Sequence, residues 1–117
     1  PFTRFAGAFE RATGADPFEL PQSWLKAQSR IDGTQPLDFV TTNDIIGGNS
    51  GSPLINRKAE VVGLAFDGNI HSLGGAYWYD ERDNRTVAVH SGAILEALRK
   101  IYDAGPLADE IEAARHD

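Results

Sequence analysis

The run Gly47-Gly48-Asn49-Ser50-Gly51-Ser52-Pro53 constrains this chain more than any other stretch. Three glycines and a proline within seven residues disfavour both helix and regular strand, because glycine loses the most entropy on ordering and proline removes a backbone donor. What remains is a tight loop whose bare backbone can approach another molecule closely. The sequence on either side is β-like. Residues 37–41 can form a strand leading into the loop, and residues 52–56 and 60–66 flank the polar turn Arg57-Lys58, which predicts a hairpin. The fold class expected is mainly β with helices.

The rest of the chain divides around this centre. Residues 1–36 look helical or irregular: Phe5, Ala8, Phe9 and Ala12 recur at helical spacing and Gly14 is a stop signal. Asp16-Pro17 and Leu20-Pro21 punctuate it, Pro21 opens a short helix through Trp24 and Leu25, and Asp32-Gly33 breaks that helix. Residues 76–79 and 86–90 flank the polar run 80–84 and predict a second hairpin. Ser91 then caps a helix whose stripe is Ile94, Leu95, Leu98, Ile101 and Tyr102, with Glu96 and Lys100 paired on another face and Gly105-Pro106 as its end. Residues 107–115 suit a short polar helix. The organisation expected is a lead-in over 1–36, a β unit with its helix over 37–105, and a tail over 106–117.

Composition narrows the function. The net charge is −6 with no run of lysine or arginine, which argues against nucleic acid or an anionic membrane as partner. No stretch approaches the roughly 18 apolar residues of a membrane span. The absence of cysteine excludes disulfides, thiolate metal sites and a cysteine nucleophile. A chain of 117 residues that begins at Pro1 and lacks methionine is expected to be a piece of a longer protein.

Gly-Asn-Ser-Gly-Ser-Pro reads as the nucleophile loop of a chymotrypsin-like serine peptidase. In such a loop Ser50 attacks a peptide carbonyl, and the N–H groups of Gly48 and Ser50 form an oxyanion hole, each donor contributing roughly 3–4 kcal/mol of barrier lowering. The chemistry also needs a histidine base and an orienting aspartate. In chymotrypsin order both precede the serine, and no histidine precedes Ser50. The chain therefore carries one third of a triad and is expected to be inactive alone. The α/β-hydrolase elbow is excluded, because Ser52-Pro53 stands where its last glycine and helix would begin. His71, His90 and His116 are accordingly read as surface or strand-end histidines. Asn49, just before the serine, cannot make the ion pair that an aspartate there makes with a freshly cut N-terminus.

The chain resembles the bacterial dipeptidyl aminopeptidases of the dipeptidyl-peptidase seven and eleven type, the group that includes dipeptidyl aminopeptidase BII. The resemblance is carried by Pro1-Phe2-Thr3, Glu10-Arg11-Ala12-Thr13-Gly14, Thr42-Asn43-Asp44-Ile45, the run 47–53, Gly63-Leu64-Ala65-Phe66-Asp67-Gly68-Asn69, and Asn84-Arg85-Thr86-Val87-Ala88-Val89. It implies a double β-barrel with a helical cap, residues 1–36 returning from the cap and 37–105 forming most of the second barrel and its helix. It implies release of dipeptides from free peptide N-termini, periplasmic or secreted, with no cofactor or metal. It further implies that Ser50 is the nucleophile and that Asp67 holds the substrate's α-ammonium group, where a carboxylate makes a charge-assisted bond.

Relatives that cut after acidic residues carry arginine at the position of Gly68. Glycine there implies an open, uncharged S1 pocket and apolar P1 side chains. Asp44, six residues before Ser50, offers a competing reading with basic P1. Relatives often carry aspartate where His90 stands, a change that bears on helix stability. Asp80, Glu81 and Asp83 are weighed as a calcium site and read instead as a solvated turn. A half-barrel with open strand edges is expected to self-associate, as a homodimer or larger. The alternative function is a non-catalytic peptide-binding or interaction module on the same fold.

Overall fold

The computed structural model describes residues 2–75 and 77–114. Its elements, in chain order, are β1 (Phe2–Arg4), α1 (Phe5–Arg11), α2 (Gln22–Ala27), β2 (Pro36–Thr41), β3 (Pro53–Ile55), β4 (Val61–Gly68), a 3-10 helix (Ile70–Gly74), β5 (Thr86–His90), α3 (Ser91–Lys100) and α4 (Gly105–Ala113). The strands form a five-stranded sheet in the order β1-β2-β5-β4-β3. The pairs β2–β5, β4–β5 and β3–β4 are antiparallel. The fold is thus mainly β with helices. No helix among the described residues is long and apolar enough to cross a membrane.

The chain separates into two compact units. One gathers Phe2 with Asp38–Ser91; the other gathers Thr3–Leu37 with residues 92–114. In the β unit, Gly63, Ala65, Thr86 and Ala88 are buried. Gly63 is there because nothing larger fits: a Cβ would lie 2.5 Å from the Val89 carbonyl oxygen and 2.6 Å from the Phe39 ring. Phe39 fills that space and contacts Phe2 at 6.1 Å and His90 at 5.7 Å between ring centroids. His90 thereby joins an aromatic cluster shared by β1, β2 and β5, which explains a ring at a position ahead of α3.

In the helical unit Phe5 is fully buried, with the Trp24 ring 5.5 Å away. Trp24 Nε1–H donates to the Tyr102 hydroxyl at 3.3 Å, and the Asp32 N–H donates to Glu96 Oε1 at 2.7 Å. Glu96 also pairs with Lys100 at 2.8 Å, the expected i,i+4 bridge. Arg99 reaches from α3 to Asp109 and Glu112 of α4 at 2.7 and 2.6 Å.

Two expectations are corrected. The second hairpin does not form: β5 pairs on one side with β2 and on the other with β4, so neither edge is free for residues 77–79. (Ala76 lies outside the described residues.) Instead the Tyr77 and Trp78 N–H groups turn back onto the Gly74 carbonyl at 2.9 and 3.1 Å, and the Trp78 ring occupies the space a Gly74 side chain would need. Nor does Gly105-Pro106 end α3. The helix stops at Lys100, Asp103 takes a left-handed φ of 52°, and Gly105 opens α4 with Pro106 in its first turn, where the missing N–H costs nothing.

Gly63→Ala is expected to destabilise the full-length protein by roughly 1–3 kcal/mol, as overpacking of a tight core does. Its unfolding midpoint beside wild type measures this; an unchanged midpoint would show that β4, β5 and Phe39 can separate freely.

Candidate active site

The loop between β2 and β3 is built from short local bonds. Asn49 braces its start: its N–H donates to the Ile46 carbonyl at 3.2 Å, and its Oδ1 accepts from the Ile46 N–H at 2.8 Å. Gly48 and Gly51 stand at φ of 101° and 86°, a region that side-chain-bearing residues avoid. Gly51 N–H donates to the Ala65 carbonyl at 2.7 Å, and Ala65 N–H donates to the Ser52 carbonyl at 2.9 Å, so the loop is fastened to β4. The backbone bonds of the loop come from Asn49, Gly51 and Ser52; among the described residues, none accepts from the Gly48 or Ser50 N–H.

Ser50 is exposed, and its hydroxyl donates to the Phe66 carbonyl at 3.4 Å. That carbonyl is presented by a β-bulge. Ala65 pairs with Ala88 and Asp67 with Val87, leaving Phe66 as an extra residue in β4. A bulge re-aims the residues beyond it, here the Asp67 side chain and the Gly68 backbone. Asp67 is exposed, and its Oδ1 accepts from the Gly68 N–H at 2.8 Å, which fixes the direction of the carboxylate. The fold therefore brings the segment 48–52 beside 65–68.

Further along, Asn69 ties three segments together. Its Nδ2 donates to the Asp83 carbonyl at 2.7 Å, while its Oδ1 accepts from Ser72 Oγ at 2.9 Å and from the Arg85 N–H at 3.0 Å. The segment leading into the loop is tied as well. Thr86 Oγ1 donates to the Asn43 carbonyl at 2.6 Å, and the Tyr79 hydroxyl donates to the Thr42 carbonyl. Asp44, between these anchors and the loop, is exposed. Ser50 meets a carbonyl and not a histidine: His90 sits in the aromatic cluster, His71 is exposed on the 3-10 helix, and His116 lies outside the described residues. An open recess of about 350 Å³ bounded by Asp16, Glu19 and Gln22 belongs to the helical unit and shares no residue with this loop.

No local signal marks the Phe66 bulge, since a bulge exists only relative to a partner strand. Asn69 and Ser72 were also missed as structural partners; only asparagine's preference for turns pointed to position 69.

Within the acidic run 80–83, Asp80 is paired with Arg82. Asp80 accepts three hydrogen bonds from Arg82, two from the guanidinium and one from the backbone N–H. These bonds hold the Asp80 carboxyl down at about 2, from an ordinary 3.8. Among the described residues no three histidine, cysteine, aspartate or glutamate side chains converge as metal ligands would.

Residues 1–113 match the Peptidase S46 family, and the chain belongs to it. It is 45% identical to a dipeptidyl-peptidase 7 of Phocaeicola vulgatus, over 94% of this chain and 16% of that protein. It is 34% identical to a dipeptidyl-peptidase 7 of Capnocytophaga gingivalis, over 94% of this chain and 17% of the relative. An Asp/Glu-specific dipeptidyl-peptidase of Shewanella putrefaciens is 30% identical over 99% of this chain and 20% of its own length. Among solved structures, DPP11 of Porphyromonas endodontalis in complex with the dipeptide Arg-Asp superposes with a TM-score of 0.84 at 25% identity, covering 94% of this chain and 17% of that one. The chain thus spans 16–20% of the length of these curated relatives.

Because the Asp80 carboxyl is depressed, the contribution of its pairing is fully present above the ordinary carboxylate range. It is lost only as pH falls through about 2. A carboxyl-resolved NMR titration is expected to find Asp80 still ionised at pH 3; a midpoint at the ordinary value would show that the Arg82 pairing does not persist in solution.

Proposed function

We propose that these residues are the nucleophile-bearing part of a serine dipeptidyl aminopeptidase, releasing dipeptides from the free N-termini of peptides. The observation that carries the reading is the placement of Ser50. It stands exposed on a loop with two left-handed glycines, beside the bulged end of β4, in a chain of the Peptidase S46 family. The relatives' names, dipeptidyl-peptidase 7 and Asp/Glu-specific dipeptidyl-peptidase, support the activity. The architecture proposed is the second barrel of a chymotrypsin-like double barrel, with the histidine and aspartate of the triad supplied from outside these 117 residues.

In the proposed reaction Ser50 Oγ attacks the carbonyl of the second substrate residue and its proton passes to the histidine. The negative charge that develops on the carbonyl oxygen is received by the Gly48 and Ser50 N–H groups. The intermediate collapses, the shortened peptide leaves with the proton from the histidine, and water releases the dipeptide from Ser50. Asp67, its carboxylate held by Gly68, pairs with the substrate's α-ammonium group and so selects a free N-terminus.

An apolar P1 side chain is proposed because Gly68 offers neither bulk nor charge. Arg85, whose carbonyl faces Gly68, sends its guanidinium instead to the carbonyls of Glu81, Arg82 and Asn84. The Arg85 guanidinium is thereby not offered to an acidic P1. Self-association as a homodimer and a periplasmic or secreted location belong to the same proposal. The exposed apolar side chains Ile70, Leu73, Tyr77 and Trp78 support the first, and the resemblance supports the second.

The test is the full-length protein against fluorogenic dipeptidyl substrates with apolar, acidic or basic P1, each also N-acetylated. Cleavage after apolar P1 is expected, lost on acetylation and reduced at least ~10⁴-fold by Ser50→Ala. Cleavage after lysine or arginine would move the S1 anchor to Asp44. A folded protein that cleaves none of them would overturn the enzyme reading in favour of an interaction module.

A further inference from the structure

Glycine at 68 is not merely an absent side chain, because the space beside it is already taken. A Cβ built on Gly68 meets the Ser72 Cβ at 3.0 Å and its Oγ at 3.3 Å. Such a contact is relieved cheaply when the neighbour is the far end of a flexible side chain. Here it is a Cβ, fixed by its own backbone, and that backbone is bonded on both sides. Ser72 N–H donates to the Asn69 carbonyl at 2.9 Å, and the Ser72 carbonyl accepts from Gly75 N–H at 3.0 Å. Its hydroxyl is held as well, donating toward Asn69 Oδ1 at 2.9 Å and the Arg85 carbonyl at 3.3 Å. Asn69 in turn is anchored to Asp83 and Arg85. To admit a Cβ at 68, Ser72 must give by a few tenths of an ångström, and this set of bonds resists that shift.

We propose that Ser72 is a specificity-determining residue coupled to Gly68: locked in place by Asn69, it walls the pocket at position 68 and keeps that position free of any side chain. The inference rests on the proposed dipeptidyl aminopeptidase reading, in which Gly68 faces the P1 side chain. Its consequence is that charge cannot be introduced at 68 by one substitution. An arginine there would meet Ser72 at its first carbon, so its guanidinium would not be carried to a P1 carboxylate. Removing the Ser72 side chain opens the path.

The experiment compares wild type, Gly68→Arg, Ser72→Gly and the double variant of the full-length protein. The readouts are kcat/KM for dipeptidyl substrates with P1 aspartate and P1 leucine, together with the unfolding midpoint. Gly68→Arg alone is expected to lose leucine cleavage, gain little aspartate cleavage and melt lower than wild type. The double variant is expected to recover the midpoint and to raise the aspartate-to-leucine ratio by roughly 100-fold over Gly68→Arg, the factor a charge-assisted hydrogen bond supplies. A Gly68→Arg protein that gains full aspartate cleavage with an unchanged midpoint, Ser72→Gly adding nothing, overturns the coupling and leaves the proposed function standing. A wild type that cleaves neither substrate overturns the proposed function and the inference with it.

Discussion

Two reciprocal backbone bonds between the loop and β4 underlie everything described at the site. Gly51 donates to Ala65 and Ala65 donates back to Ser52, at 2.7 and 2.9 Å. A loop this rich in glycine has many conformations to lose on ordering, and its own Asn49 brace fixes only the first half. The Ala65 pair fixes the second half and sets Ser50 opposite the next residue of the strand. The same two bonds continue as the β3–β4 ladder, so the hairpin that looks like mere scaffolding is what aims the serine.

The bulge at Phe66 is the second constraint. By inserting one residue into β4 it turns a carbonyl toward Ser50 and shifts Asp67 and Gly68 relative to their partners on β5. Beyond it, Asn69 gathers the end of β4, the 3-10 helix and the approach to β5 into one bonded set. Secondary structure thus runs up to the site from both directions, and the site lies where the pairing of β4 with β5 shifts register. This is where strand-based sites gain precision, since the supporting backbone cannot drift.

Much of the fold was legible because it rests on local pattern. The strands expected over 37–41 and 60–66, the Arg57-Lys58 turn between β3 and β4, and the stripe of α3 all appear where composition, turn chemistry and periodicity place them. The loop was legible for a different reason: glycines at 48 and 51 are needed for positive φ, and the sequence shows them. What was not legible depends on partners. Residues 77–79 are β-like in composition, yet β5 had no free edge for them. Asp103 carries the left-handed turn that glycine at 105 suggested, because the chain needed it two residues earlier. The bulge and the bonds that tie Asn69 to Asp83 and Arg85 arise from chain crossings that no local window contains. His90 is intelligible only once Phe2 and Phe39 are placed beside it.

The division of the chain has a consequence for the order of its assembly. The helical unit is made from both ends of the described sequence, 3–37 and 92–114, with the β unit between them. Within the described residues α1 and α2 precede the β unit, while α3 and α4 follow it. The closing step is local to the β unit: pairing of Asp38 with Val89 brings the two flanks to neighbouring points. Before that ladder zips, joining the flanks would require closing a loop of the whole intervening segment, and the entropy of such closure opposes it. Closing the helical unit and pairing β2 with β5 thus share one entropic cost: whichever forms first brings the ends of the other together.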